Sequence, residues 1–402
     1  MKILLAHNFY GSSAPSGENS VFSAETDLLL KAGNKVVTLT RQSDEIRKQW
    51  ALGMLKGALS TPWNPFSYLK AKVIIQRECP AVMHVHNTFP LLSNSIFYSA
   101  MKTSTATVLT LHNYRTVCAA AIPMRNGKTC TKCIDLQSVF PAIKYGCYRQ
   151  SRFASLPLVL SIALHRTLGT WQKHIDAFIV LTDFQRCMMI SAGFPAERIY
   201  VKPHFYPSTP TPIACEDRDA KVLFVGRLGE EKGVGHLIKA WQQWGTNSPQ
   251  LELIGDGPLR PELERLAKGQ GDRVRFLGQL PFKETQCRLA KAKLLVLPSI
   301  CFEGFPMVIR EAFALGVPVA ASNLGAMASL VEDGENGVLF EPGSVNGIFQ
   351  AISDLWNEQP ELEGMAKAAR AEFEEKYRGE SNYKILMDIY EKAIDNRRRK
   401  FN

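Results

Sequence analysis

Two glutamates, Glu303 and Glu311, stand at either side of a short run in "CFEGFPMVIREAFALGVPVAAS" (301–322). Between them Gly304, Phe305 and Pro306 precede apolar residues suited to a helix. Pro306 fits the first helical position. The N–H groups of Gly304, Phe305, Met307 and Val308 then surround a positively polarised helix start, which is a place for phosphate. Gly304 lets a ligand approach the backbone closely. A carboxylate beside a bound phosphate is repelled, so the two acids are better suited to accept hydrogen bonds from neutral hydroxyls. A diphosphate with a sugar at each end matches that set of groups, and a nucleotide sugar has that shape. Acids that only complement a helix dipole would leave the glycine unexplained.

A second stretch points to the same ligand. "FVGRLGEEKGVGHLIKAW" (224–241) reads as a strand, a glycine-flanked turn with Arg227 and Lys232, and a helix. Both cations leave the carboxyl end of a strand, where charge-assisted bonds to a diphosphate can form. Elsewhere Cys118, Cys130, Cys133 and Cys147 fall within thirty residues, and Cys130 and Cys133 have the spacing of a zinc ligand pair. They are a candidate structural zinc set; reduced thiols are the alternative. His7, His84 and His86 lie on or near strand ends and read as structural histidines. Asp217-Arg218-Asp219 reads as solvated linker. "GDGPLR" (255–260) lacks the spacing of a dinucleotide fingerprint and reads as a turn before a helix.

These residues need elements to hold them. In the first half, apolar runs at 2–9, 34–41, 82–88, 106–113 and 177–184 alternate with helical patterns such as 21–33. Nearly continuous apolar strands indicate a parallel sheet covered on both faces. Four prolines interrupt the pattern over 202–219, and it restarts with runs at 221–227, 251–257, 273–280, 294–300, 317–322 and 337–343. The expected fold class is therefore α/β, two Rossmann-like doubly wound domains. The expected boundaries are 1–205 for the first domain, with a C-terminal helix at about 380–402 packing back on it, and 206–379 for the second. Ligands of such sheets bind beyond the carboxyl ends of the strands, so two facing domains would enclose a central cleft.

Composition narrows the setting. The chain of 402 residues is 46% hydrophobic and 21% charged, as in ordinary globular proteins. The longest mostly apolar run, 153–164, is shorter than the ~20 residues a membrane span needs. The first residues do not read as a signal peptide, so the expected location is the cytoplasm. Net charge is +13 over residues 1–205 and −3 over 206–402. A basic half calls for an anionic partner. The stretches 45–77 and 148–166 mix cations with aromatic and apolar residues, a composition that can rest on an anionic membrane.

"GRLGEEKG" (226–233) together with "FEGFPMVIREAFALGVPVAAS" (302–322), "LIGDGPLRPELERLA" (253–267) and "VRFLGQLP" (274–281) resembles the retaining glycosyltransferases of the GT-B fold, family 4. The resemblance covers most of the chain and is strongest over 221–343. It implies a metal-independent, hexosyltransferase-type enzyme that moves a sugar from a UDP- or GDP-sugar to a glycan or lipid-linked acceptor with retention. It further implies a role in bacterial surface polysaccharide assembly, on the inner face of the cell membrane. By the same resemblance Arg227 and Lys232 hold the donor diphosphate, Glu303 bonds hydroxyls of the transferred sugar, and Glu311 takes the ribose hydroxyls. His112 resembles the histidine beside the reacting sugar. "PSGENS" (15–20) stands where relatives carry a Gly-Gly loop; Ser16 replaces the first glycine, leaving close approach to Gly17. The competing function is a non-catalytic module binding RNA or zinc through the basic half, which gives Glu303 and Glu311 no role. A dinucleotide oxidoreductase would need a glycine fingerprint that is missing. No nucleic-acid partner is expected.

Overall fold

The computed structural model describes residues 1–11, 16–47 and 50–400. Pro15 of the 15–20 loop, and Lys48 and Gln49 of the basic-aromatic stretch, lie outside them. The chain divides into two units. The first comprises Met1–Pro123, Thr131–Pro203 and Asn382–Asn402; the second comprises Met124–Cys130 and His204–Ser381.

The first unit is built on strands β1 (Lys2–Phe9), β2 (Lys35–Gln42), β3 (Val82–Asn87) and β4 (Ala106–Thr110). After the short hairpin β5 (Met124–Arg125) and β6 (Lys128–Thr129), which is grouped with the second unit, come β7 (Ala177–Val180) and β8 (Ile199–Val201). The sheet order is β2-β1-β3-β4-β7-β8, and every pairing is parallel. Strand β8 was not marked by the apolar pattern, because three residues are too few to show one. Ile3, Leu5, Val82, Val108 and Ile179 are fully buried, as strands covered on both faces must be. One cover is the helix Gly17–Lys31, through Phe22 and Leu29; another is the helix Gly379–Arg399, through Leu386, Ile389 and Tyr390. Strand order reverses between β1 and β3, so His7, His86 and Asn87 stand at the switch point.

The second unit carries β9 (Asp219–Val225), β10 (Gln250–Ile254), β11 (Val274–Gly278), β12 (Ala292–Leu297), β13 (Val319–Ser322) and β14 (Gly337–Phe340). The order is β11-β10-β9-β12-β13-β14, again all parallel, with its reversal between β9 and β12. Both sheets match the expected α/β class. The helix Val234–Trp244 covers β9 with Val234, Leu237, Ile238 and Trp241, and the Trp241 indole donates to Pro249 O at 2.8 Å.

Two glycines close the switch point. Gly233 has φ +64°, and a Cβ there would sit 2.0 Å from Pro298 O, just past β12. Gly255 has φ +135°, and a Cβ there would sit 1.9 Å from Gly226 O, just past β9. Only residues without a side chain allow these loops to lie so close.

Asp217-Arg218-Asp219 is not solvated linker. Asp219 opens β9, and Arg218 is buried. Its guanidinium donates to Leu315 O, Gly316 O and Ile213 O at 2.8–3.1 Å. Leu315 and Gly316 end the helix Met307–Ala314, where unpaired carbonyls and the negative dipole end attract a cation.

Gly233→Ala should lower stability by roughly 2 kcal/mol or more, since it adds both strain and a clash. Gly334→Ala, at φ +80° with open space around it, should cost only about 1 kcal/mol. Thermal melts of both variants check this; equal losses would contradict the close approach at Pro298.

Candidate active site

At the switch point of the second unit, the turn Glu230–Lys232 follows β9 and the segment 298–306 follows β12. Gly233, packed on Pro298, holds the two side by side. Lys232 Nζ lies 2.5 Å from Glu303 Oε1, and Ser299 Oγ donates to the same oxygen at 2.8 Å. The Lys232 and Glu303 side chains are 23% and 15% exposed. Burial alone would raise the Glu303 carboxyl, but Lys232 and Ser299 outweigh it and hold the group below the usual range. Burial would likewise lower Lys232, and Glu303 outweighs it and raises the ammonium. Both groups are therefore ionised near neutral pH, as a compact zwitterion.

The helix start is shifted by one residue from the sequence expectation. Pro306 is the N-cap, with ψ 99°, and Met307 is the first helical residue. The ψ value keeps Pro306 extended as the chain arrives from Gly304. No side chain caps the helix, so its first amides remain a positively polarised end. Gly304, Met307 and Val308 are half-buried, whereas Phe305 is buried, edge-on to His204 and near Tyr377. Phe305 thus anchors the turn with its ring and leaves only its backbone for a ligand. Arg227 is exposed just past β9.

Glu311, on the same helix, accepts from Gln286 Nε2 at 2.8 Å, and Tyr206 Oη donates to Gln286 Oε1 at 3.0 Å. Burial raises the Glu311 carboxyl, with Arg310 and Gln286 opposing. The two glutamates therefore differ: Glu303 is hydrogen-bonded to a cation, Glu311 to the neutral amide of Gln286. Ser299 and Gln286 were not singled out from sequence. Each supports a glutamate from another element, and nothing in the local pattern marks such a partner.

In the first unit, Ser16 caps the helix Gly17–Lys31, accepting from Glu18 N at 3.3 Å, so Gly17 is its first residue. Asn113 Nδ2 donates to Glu18 Oε1 at 2.6 Å. This bond brings the Gly17 turn and the loop of His112 together. Beneath them lies a cluster that sequence reading missed. Glu25 is flanked by Lys202 Nζ at 3.0 Å, His86 Nε2 at 3.1 Å and His84 Nδ1 at 3.2 Å. Burial would raise the Glu25 carboxyl, but Lys202, His86 and His84 hold it well below the usual range. The missed signal is an acid in register with Phe22 and Leu29 on the apolar stripe of its helix.

Among the described residues, the group that gathers three potential metal ligands is Glu25, His84 and His86, not the cysteines. That group already has its cation in Lys202, and both nitrogens of His84 bond hydroxyls, Tyr390 Oη at 2.8 Å and Thr110 Oγ1 at 2.7 Å. Of the four cysteines, Cys118, Cys133 and Cys147 lie in the first unit and Cys130 in the second. The first three do not bring their sulfurs within 4.8 Å of one another, whereas a tetrahedral zinc at ~2.3 Å from each sulfur requires closer approach.

Comparison with known proteins bears on the second unit first. Residues 219–358 match the family of glycosyl transferases group 1. The match spans about a third of the chain. It contains Arg227, Lys232, Glu303 and Glu311. The chain is 33% identical over 201 residues to an exopolysaccharide phosphotransferase of Streptomyces coelicolor, covering 48% of this chain and 21% of that protein. It is 29% identical over 259 residues to the alpha-D-kanosaminyltransferase of Streptomyces kanamyceticus, covering 55% of this chain and 67% of that protein. The chain thus spans only a fifth of the first relative's length. The structure of Anabaena Alr3699/HepE in complex with UDP and glucose matches with TM-score 0.65 and 18% identity, over 96% of this chain and 98% of that one. The fold of the two units is accordingly GT-B.

Burial holds His7, His86 and His165 in the first unit down to about 4. Each folded value lies below the free value near 6.5, so between about pH 6.5 and 4 the unfolded chain binds protons that the folded chain does not. Stability is then lost as pH falls through that window. The depressed Glu25 carboxyl adds a loss that begins below its unfolded value and continues toward its folded one. A melting temperature that falls steadily from pH 7 to pH 4 is expected; a flat profile would contradict the burial of these histidines as neutral rings.

Proposed function

We propose that this protein is a glycosyltransferase that moves a sugar from a nucleotide-diphosphate sugar to a glycan or lipid-linked acceptor with retention of anomeric configuration. The observation that carries the reading is the Lys232–Glu303–Ser299 cluster beside an uncapped helix start, at the switch point of the second unit. The bound UDP and glucose of the Anabaena protein, and the exopolysaccharide in the name of the Streptomyces coelicolor relative, support it.

Cleavage of a sugar–phosphate bond leaves positive charge on the anomeric carbon and negative charge on the diphosphate. Arg227, Lys232 and the N–H groups of Gly304, Phe305, Met307 and Val308 supply the opposite charge to that leaving group. The ammonium of Lys232 has three donors, so it can hold Glu303 and a phosphate oxygen together. Glu303, kept ionised, accepts from hydroxyls of the transferred sugar; Glu311 accepts from the ribose; His112 is assigned to the reacting sugar by the resemblance alone. None of these roles calls for a divalent metal.

The first unit also favours contact with an anionic lipid surface, as a lipid-linked acceptor would require. Leu52, Leu55, Leu59, Phe66, Val73 and Phe153 are exposed on three helices, among the exposed Lys56, Lys70 and Lys72. Among the described residues, no helix is long and apolar enough to cross a membrane.

Purified protein offered a panel of nucleotide-diphosphate sugars should turn over at least one, with the product anomer matching the donor's by NMR. Glu303→Gln should cut turnover roughly a hundredfold. An active Glu303→Gln enzyme would remove Glu303 from its assigned role, and an inverted product would overturn retention.

A further inference from the structure

Glu311 ends a hydrogen-bond relay of three side chains, all in the second unit. The relay starts at Tyr206, which is buried. Its N–H donates to Tyr377 O at 2.9 Å, and its ring lies edge-on to Phe373 at 6.4 Å between centroids. These contacts fix where the hydroxyl points. That hydroxyl also bonds Ser208, and it donates to Gln286 Oε1 at 3.0 Å. Gln286 stands on the helix Phe282–Lys291, one residue past Thr285 and three before Leu289. Both of those are buried, so Gln286 lies at the inner edge of its helix. With its carbonyl oxygen taken by Tyr206, its amide nitrogen is turned to Glu311 Oε2 at 2.8 Å. The order follows from the groups. A carboxylate only accepts, so it meets the nitrogen of the amide, and the amide oxygen must then find a donor. Burial disfavours the charged form of Glu311, and Arg310 and Gln286 oppose that effect. The Arg310 guanidinium, 5.9 Å from the centre of the Tyr206 ring, acts through its charge. Gln286 acts through a directed bond, and that bond occupies Oε2. Among the described residues no hydrogen bond reaches Oε1, and Glu311 is half-buried, not enclosed. A carboxylate oxygen has about two lone-pair sites, so Oε1 can accept from both hydroxyls of a vicinal diol.

We propose that Gln286 and Tyr206 are positioning residues that fix the plane of the Glu311 carboxylate and turn Oε1 to the paired ribose hydroxyls of the donor, so that the relay sets a preference for a ribonucleotide over a deoxyribonucleotide. The ribose comes from the proposed transferase reading; the relay that aims Glu311 does not depend on it. A carboxylate free to swivel would still attract hydroxyls but would meet both of them poorly.

Calorimetric titration of the full chain with UDP, GDP and their 2′-deoxy and 3′-deoxy counterparts tests this. The better-bound of UDP and GDP should bind roughly tenfold or more tighter than either of its deoxy forms, as expected for a hydrogen bond to a charged group. In Gln286→Leu that ratio should fall to roughly threefold or less, since an unaimed carboxylate recovers only part of each bond. Tyr206→Phe, which removes one oxygen atom and keeps the ring, should lower the ratio too, and it carries the test if Gln286→Leu does not fold. A wild type that binds ribo and deoxy forms equally overturns the proposal before any variant is made. So does a Gln286→Leu or Tyr206→Phe protein that binds more weakly overall but keeps the full ratio, because lost packing alone would give that result. A chain that binds neither UDP nor GDP sinks the transferase reading and this proposal with it. One that binds either without a ribose preference leaves the reading standing and sinks only the role of the relay.

Discussion

A lysine and a glutamate 71 residues apart neutralise each other at the reversal of a parallel sheet, and the proposed donor chemistry rests on that contact. Taking either charge from water alone is costly, and together they are tolerated because Ser299 and each other complete their bonds. The arrangement leaves a fixed cation beside a polarised helix end. In the proposed function phosphate is the group this place accepts, and the glutamate serves the sugar attached to that phosphate. Gly233 makes the contact possible by letting the loop after β9 lie on Pro298.

The first unit uses the same economy with different partners. Lys202 is to Glu25 what Lys232 is to Glu303, but here the acid faces inward toward two histidines. The ammonium comes from just past β8 and its second partner, Asn382, from the last helix. The closing helix is thus part of the electrostatics beneath His112 as well as of the packing. A truncation there would disturb both.

Much of the second unit was legible because its chemistry is local. Each of its six strands coincides with an apolar run, and Arg227, Lys232, Glu303 and Glu311 sit in loops or helix starts with recognisable spacing. The direct bond between Lys232 and Glu303 was not legible, since spacing says where side chains start and not where they meet. Arg218 looked solvated because its acidic neighbours hid a guanidinium suited to helix-end carbonyls. Glu25 was overlooked because a single acid on an apolar stripe gains meaning only when β3 brings two histidines to it.

Titration calorimetry of the full chain with UDP, GDP and the parent nucleosides tests the central claim most directly. The account predicts that one nucleoside diphosphate binds at least roughly a hundredfold tighter than its nucleoside, a gap of about 2.7 kcal/mol, and that Lys232→Ala removes most of that gap while leaving the nucleoside's affinity unchanged. Equal affinity for diphosphate and nucleoside, or a Lys232→Ala protein that keeps the full difference, would contradict it.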